Sequence, residues 1–199
     1  MRLFAIGIAL TALAACGAKE GMPNLRGQLA PQVVAQLPVR VMLVELPQAD
    51  SAALTGIDTV NGDLVTWRSL EDQALTLESG VVVSTRGLAF DLMGSNVGLV
   101  PREFFRQNEY RTKAVRSFSF LDGENKLSTV SYECLYEIYP AEIVPRLNGR
   151  AEFSSVSETC IRPGPDIENR YYFDQTGRQV TSRQWLGDTL GYAMVEFVN

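Results

Sequence analysis

Three cysteines, two tryptophans and seven tyrosines stand in a 199-residue chain that has no histidine. Without imidazole, the common nucleophile–base triads, His-based metal sites and imidazole acid–base chemistry are excluded. No G-x-S-x-G, GxGxxG or P-loop pattern occurs. Asp and Glu are scattered, so spacing alone leaves a carboxylate-pair glycan hydrolase open. Glu71-Asp72 and Glu103, however, fall in expected loops and read as solvated surface. The expectation is a non-enzymatic protein with no cofactor and no metal. What the residue types do suit is sugar contact. Trp67, Tyr171, Tyr172 and Trp185 each lie within a few residues of an arginine. An aromatic face can stack on the C–H face of a sugar while a guanidinium meets hydroxyl and acid groups. Arg86, Tyr172, Arg183 and Trp185 are the candidate glycan-binding residues, Arg183 and Trp185 because they share one face of an expected strand. The plainer reading, rings in a core and arginines capping strand ends, stands beside this one and is preferred for Trp67.

The three cysteines divide by position. Cys16 follows Arg2 and the unbroken apolar run Leu3–Ala15, which is shorter than the roughly 20 residues a membrane span needs and fits a secretory signal. The run ends in Leu13-Ala14-Ala15-Cys16, which resembles a bacterial lipobox. In such signals the thiol takes diacylglycerol, the chain is cut before the cysteine, and the new amino terminus is acylated with a fatty acid such as palmitate. Several acyl chains, each contributing about 0.8 kcal/mol per buried CH₂, hold a protein stably where one holds it marginally. Cys16 is therefore the expected lipid anchor, against the alternative of an ordinary secretion signal with a chance cysteine. Cys134 and Cys160 remain. In an exported chain an even remainder reads as one disulfide, stabilising by roughly 3.5 kcal/mol if it closes a loop of that span. Two cysteines without histidine or CxxC spacing do not make a zinc site.

Residues 1–15 thus read as a signal peptide, 16–38 as the acylated cysteine and a flexible tether, and 39–199 as a β-rich domain. The 46% apolar and 21% charged content suits a folded domain. A net charge of −5, with no long basic cluster, gives no footprint for nucleic acid. The tether holds three Gly and three Pro, with a short helical turn expected around Gln32–Gln36. Beyond it, β-branched and aromatic runs are punctuated by turn residues. Expected strands are Val39–Leu46, Ile57–Val60, Leu64–Ser69, Ala74–Leu77, Val81–Thr85, Thr112–Phe120, Lys126–Tyr136, Arg150–Cys160, Arg170–Asp174, Gln179–Trp185 and Tyr192–Val198. Asn61-Gly62, Ser79-Gly80, Asp122-Gly123, Asn148-Gly149 and Thr176-Gly177 mark hairpin turns, Asn61-Gly62 most strongly because both residues accept positive φ. Pro101–Gln107 is the best helix. The fold class is mainly β with little helix, an antiparallel sandwich or open barrel. The form [ST]-G-x-x-V-[ST]-[ST]-R-x-apolar occurs at Ser79–Leu88 and again at Thr176–Trp185, which raises two related halves beside coincidence of turn chemistry.

Taken in order, these motifs resemble the YjbF/GfcB family of bacterial outer-membrane lipoproteins, also described as group 4 capsule polysaccharide lipoproteins. The residues carrying the resemblance in the first half are Leu13–Cys16, Thr66-Trp67, Leu75-Thr76-Leu77 with Gly80, Thr85-Arg86-Gly87-Leu88 and Asp91-Leu92. In the second half they are Cys134, Glu158-Thr159-Cys160, Asn169, Tyr171-Tyr172-Phe173-Asp174 and Ser182-Arg183-Gln184-Trp185. Tyr172-Phe173 departs from the family's Tyr-Trp and leaves one fewer tryptophan for a sugar platform. The resemblance implies a β-rich lipoprotein on the inner leaflet of the outer membrane, facing the periplasm, with no known catalytic activity. Gly17 after the acylated cysteine, rather than Asp, agrees with outer-membrane sorting. The expected role is an accessory of capsule or exopolysaccharide production, whose partners are the membrane through its lipid, exopolysaccharide and its export proteins. Two alternatives stand beside it: a structural docking partner of an export protein without sugar affinity, and a lipocalin-like lipid carrier.

Overall fold

A computed structural model describes residues 25–29, 32, 36, 37 and 39–198. The expected signal peptide, Cys16 and most of the expected tether, with most of its Gln32–Gln36 turn, lie outside the described residues. Twelve strands form one antiparallel sheet. The first half supplies β1 (Val41–Leu46), β2 (Ser51–Asn61), β3 (Leu64–Arg68), β4 (Ala74–Glu78), β5 (Val81–Arg86) and β6 (Gly94–Ser95). The second supplies β7 (Arg111–Leu121), β8 (Leu127–Arg146), β9 (Gly149–Cys160), β10 (Ile167–Phe173), β11 (Gln179–Gly187) and β12 (Gly191–Phe197). A four-residue helix α1 (Leu25–Gln28) precedes β1, and α2 (Pro101–Gln107) joins β6 to β7.

Strand order is β5-β4-β3-β2-β1-β12-β11-β10-β9-β8-β7-β6. All neighbours are consecutive in the chain except β1 and β12, which join the two halves. The outer strands approach one another, where Thr85 N donates to Leu92 O at 2.9 Å and Leu92 N donates to Thr85 Oγ1 at 2.9 Å. The sheet thereby nearly closes into a barrel, the all-β architecture that the turn spacing leads one to expect. Closure matters because it removes the open edges that invite pairing with other chains.

Alternation decides which side chains fill the interior. Along β10, Ile167, Asn169, Tyr171 and Phe173 are buried, while the residues between them are more exposed. β1 is different: all six residues are buried. Met42, Val44 and Leu46 face the main core, while Val41 and Leu43 join Leu147 and Val198 in a second cluster packed by Leu29, Leu37 and Leu54. A strand covered on both sides reads as an unbroken apolar run, which is why Val39–Leu46 looks continuous. Helix α2 starts with Pro101 at its first position and ends at a left-handed Asn108. It seats Phe104 against Tyr136 and stacks Phe105 on Phe173.

Some boundaries differ from expectation for local reasons. β2 begins at Ser51, because Ser51–Gly56 pairs throughout with β1 although its sequence, SAALTG, carries little β-forming character. β8 runs to Arg146 past Pro140, across a register shift between Tyr139 and Glu142 that absorbs the missing donor. The Asn61-Gly62 turn is displaced by one residue. Asn61 pairs with Leu64, so Gly62 and Asp63 are the central pair and Gly62 alone takes positive φ, at 60°. Cys134 and Cys160 stand directly opposite on β8 and β9 and form a disulfide. Among the described residues no helix is long and apolar enough to cross a membrane.

In a meander, successive turns alternate between the two ends of the sheet. The turns β2–β3, β4–β5, β8–β9 and β10–β11 gather at the end where β1 starts and β12 finishes. The turns β7–β8 and β11–β12 and the β5–β6 connection gather at the opposite end. A cleft lies at each.

Candidate functional site

The cleft at the β7–β8 end has a volume of about 610 Å³ and is lined by rings and aliphatic chains, among them Phe90, Phe120, Tyr132 and Trp185. Trp185 forms part of its floor. The indole meets Phe118 and Phe120 edge-on, with centroids 5.1 and 5.7 Å away, and is itself only 6% exposed. Its backbone N–H donates to Asn169 Oδ1 at 2.7 Å, and the register shift between Trp185 and Gly187 turns the strand there. The guanidinium of Arg162 lies 5.1 Å over the indole and is held by Asp188 through two bonds of 3.0 and 2.7 Å. Hydrogen bonding to Asp188 raises the Arg162 pKa above its ordinary value, so this cation is permanent. Phe90, 58% exposed, Leu121 and Val130 form an apolar rim.

The four candidate glycan residues do not converge on this cleft. Trp185 lines it, but Arg183 lies 3.3 Å over the ring of Tyr192 and donates to Glu168 O at 2.8 Å. Arg86 is exposed at the end of β5 and bonds to its neighbour's carbonyl, Thr85 O. Tyr172 is half-buried on the other face from Tyr171, where burial, then Glu142, raises its hydroxyl pKa. The cation that accompanies Trp185 is Arg162. A sequence signal exists for it: Arg162 stands two residues beyond Cys160, whose pairing with Cys134 fixes where β9 ends.

At the opposite end a mouth of about 510 Å³ opens between the turns. Arg40, Arg102, Arg146 and Arg178 surround it, with Asp63 the only acidic residue of its lining among the described residues. Arg146 is committed, donating to Glu196 Oε1 at 3.1 Å and to Phe197 O at 2.5 Å. Arg178 reaches Asp174 at 3.4 Å. Trp67, Leu77 and Phe197 line the wall, Trp67 tilted against Phe197 at 5.9 Å. Trp67 is buried to 6% exposure, a core ring that also borders the mouth. These arginines are far apart in sequence, so no local signal groups them; Arg146 and Arg178, however, flank expected turns.

Between the two ends the interior holds a charged cluster. Glu158 is fully buried and accepts from Arg116 Nη1 at 2.9 and 3.1 Å, Tyr136 OH at 2.9 Å, Tyr171 OH at 2.7 Å and Asn169 Nδ2 at 3.0 Å. Arg116 also donates to Ser95 Oγ at 2.9 Å. Burial would lower the Arg116 pKa, but the Glu158 charge overrides it and holds the guanidinium protonated. Burial, then Glu158, pushes both tyrosine hydroxyls well above their ordinary range. A carboxylate with five donor contacts has no lone pair to spare for proton abstraction. Cys134 and Cys160 approach Glu158 closely enough to suggest a ligand set. Their sulfurs, however, are bonded to each other, so no thiolate is available to a metal. The cluster is a structural core, and Tyr171 belongs to it rather than to a sugar platform.

A family model described as group 4 capsule polysaccharide lipoprotein gfcB, YjbF, matches residues 12–198. No curated protein matches the chain. Among solved structures, the hypothetical lipoprotein YmcC from Escherichia coli K12 superposes with a TM-score of 0.72. It is 18% identical over 88% of this chain and 91% of that one, a likeness of fold.

Proposed function

The chain belongs to the YjbF family of group 4 capsule polysaccharide lipoproteins, and we propose that it serves capsule or exopolysaccharide production as a non-catalytic accessory that holds glycan in the Trp185 cleft. In this reading Cys16 carries the acyl chains, and the domain sits on the inner leaflet of the outer membrane, facing the periplasm. The observation that supports it most is the cleft itself: aromatic rings, an exposed apolar rim and one fixed, mostly buried guanidinium line one concavity. That is the surface a sugar ring stacks on while an arginine takes its oxygens. Non-catalytic action is supported by Glu158, the deepest carboxylate, being saturated with donors.

The test is calorimetric titration of the mature protein in neutral detergent with oligosaccharides cut from the host's own polymer. Trp185→Ala would disturb the core, so Phe90→Ser, at an exposed position, is the informative variant. The expected result is saturable binding that Phe90→Ser weakens about tenfold, roughly 1.4 kcal/mol, without lowering the melting temperature. A flat titration with folded protein overturns the reading.

The exposed apolar rim supports a second reading, docking of an export protein. Leu121 and Leu127, paired across β7 and β8, are 47% and 64% exposed beside the cleft, as expected of a surface that another chain covers. Phe90→Ser would then abolish co-purification with a protein while sugar titrations stay flat. The lipid-carrier alternative finds less support. Among the described residues the interior holds the fully buried side chains of Arg116, Tyr136, Tyr171 and their neighbours, a polar and aromatic filling unlike the lining an acyl chain needs.

A further inference from the structure

We infer that the arginine-lined mouth is a binding site for an acidic saccharide unit, a sugar ring bearing a carboxylate. The choice of sugar rests on the proposed function; the charge does not. Four arginines around one opening in a chain of net charge −5 concentrate positive potential there. Arg40 and Arg102 have no ion-pair partner among the described residues, and Arg178 spends only one edge on the half-buried Asp174. Their planar forks match a carboxylate's two oxygens.

The remaining lining argues for more than a bare anion. A volume of about 510 Å³ is that of a small-molecule site rather than a flat basic surface. Trp67, Leu77 and Phe197 offer an apolar wall for a ring face, and Asn148 and Gln179 offer amide groups for hydroxyls. Gln179 is 8% exposed; its Nε2 donates to Gly80 O at 3.0 Å, but its buried Oε1 has no partner. An unmatched buried acceptor costs stability unless a donor completes it, and a sugar hydroxyl in the mouth is such a donor. The site lies at the other end of the barrel from the Trp185 cleft, so the two can be emptied separately.

The test titrates the mature protein in neutral detergent with three probes: a glucuronic-acid disaccharide, its neutral glucose counterpart and inorganic phosphate. The expected result is binding of the acidic disaccharide that weakens with added salt. Arg40→Gln with Arg102→Gln should reduce it roughly a hundredfold, about tenfold per charge-assisted contact. Both arginines are exposed, so an unchanged melting temperature verifies the fold. Equal affinity for acidic and neutral disaccharides overturns the inference, as does acidic binding that survives both substitutions. Phosphate binding as tightly as the acidic disaccharide also overturns it, leaving a bare anion site. Phe90→Ser leaves the mouth untouched; host oligosaccharide binding lost in that variant but not in the arginine pair bears on the proposed cleft alone.

Discussion

Glu158 is held by Arg116, Tyr136, Tyr171 and Asn169 in a space that excludes water. The energetics of such a cluster are asymmetric. Forming it gains little over an apolar core, but removing Glu158 or Arg116 leaves the other as an unpaired buried charge. Glu158→Ala should therefore destabilise by about 3–5 kcal/mol, whereas Glu158→Leu with Arg116→Met should recover much of that loss; denaturant melts of the three chains decide it. The tyrosines add a pH signature. Burial, then Glu158, raises both hydroxyl pKa values in the folded state, above an unfolded value of about 10. Above that pH the unfolded chain releases protons that the folded chain keeps, so their contribution is whole below pH ~10 and is lost as pH rises. Tyr136→Phe should flatten the alkaline fall in stability. Near-ultraviolet titration of the folded protein should find two of its seven tyrosines silent until it unfolds. If all seven ionise together, the burial is wrong.

Three hairpins close with one five-residue loop, spanning Ser69–Gln73, Asp122–Lys126 and Asp174–Arg178. In each, the first residue's N–H donates to the last residue's carbonyl, at 2.8, 2.9 and 3.0 Å, and the fourth residue donates back to the first carbonyl. The first side chain, Ser69 Oγ, Asp122 Oδ1 or Asp174 Oδ1, accepts from the third and fifth N–H groups. The fourth residue, Asp72, Asn125 or Gly177, takes positive φ. Since the acceptor oxygen carries the loop, Asp174→Ala should cost about 1–2 kcal/mol while Asp174→Asn costs less than half of that; thermal melts separate them. This geometry also shows what could be read in advance. Asp122-Gly123 marked a turn correctly, but the positive φ falls on Asn125, because the side-chain acceptor sets the loop rather than the glycine. The echo between Ser79–Leu88 and Thr176–Trp185 likewise does not extend to the turns. Ser79 and Gly80 both take positive φ in a two-residue turn, whereas Thr176 and Gly177 sit inside the five-residue loop. The two segments instead meet, Gln184 bonding both Gly80 O and Val82 N. Strands were legible because β-branched runs and turn residues are local signals. Arg116 was not, since a strand reading Arg-Thr-Lys-Ala-Val-Arg looks solvated at its start. Its phase with Ala114, Phe118 and Phe120 is the signal that places it inside.

The barrel's outer face is where its N-terminal segment becomes part of the fold. Arg26 on α1 bonds Glu45 at 2.7 Å and Glu196 at 2.6 Å, and Arg146 reaches the same Glu196 at 3.1 Å. Both carboxylates are buried on β1 and β12, the pair of strands that joins the two halves of the sheet. Leu29 and Leu37 cover Val41, Leu43, Leu147 and Val198 beside them. Part of the segment read from composition as a flexible tether is therefore packed, and its removal would leave Glu45 without its cation and an apolar patch in water. Arg26 is about a third exposed, so solvent screening limits its own contribution to about 1–2 kcal/mol. In a domain of this size that is a fall of roughly 3–8 °C in melting temperature for Arg26→Ala. A chain beginning at Leu25 should melt like one beginning at Cys16, and one beginning at Val39 should melt lower than Arg26→Ala, having lost the leucines as well. Because Arg146 also lines the arginine mouth, the Val39 chain should bind an acidic probe more weakly even where it stays folded. Equal melting of the Leu25 and Val39 chains would return residues 25–38 to the role of a spacer, and the two halves of the barrel would then be held by β1 and β12 alone.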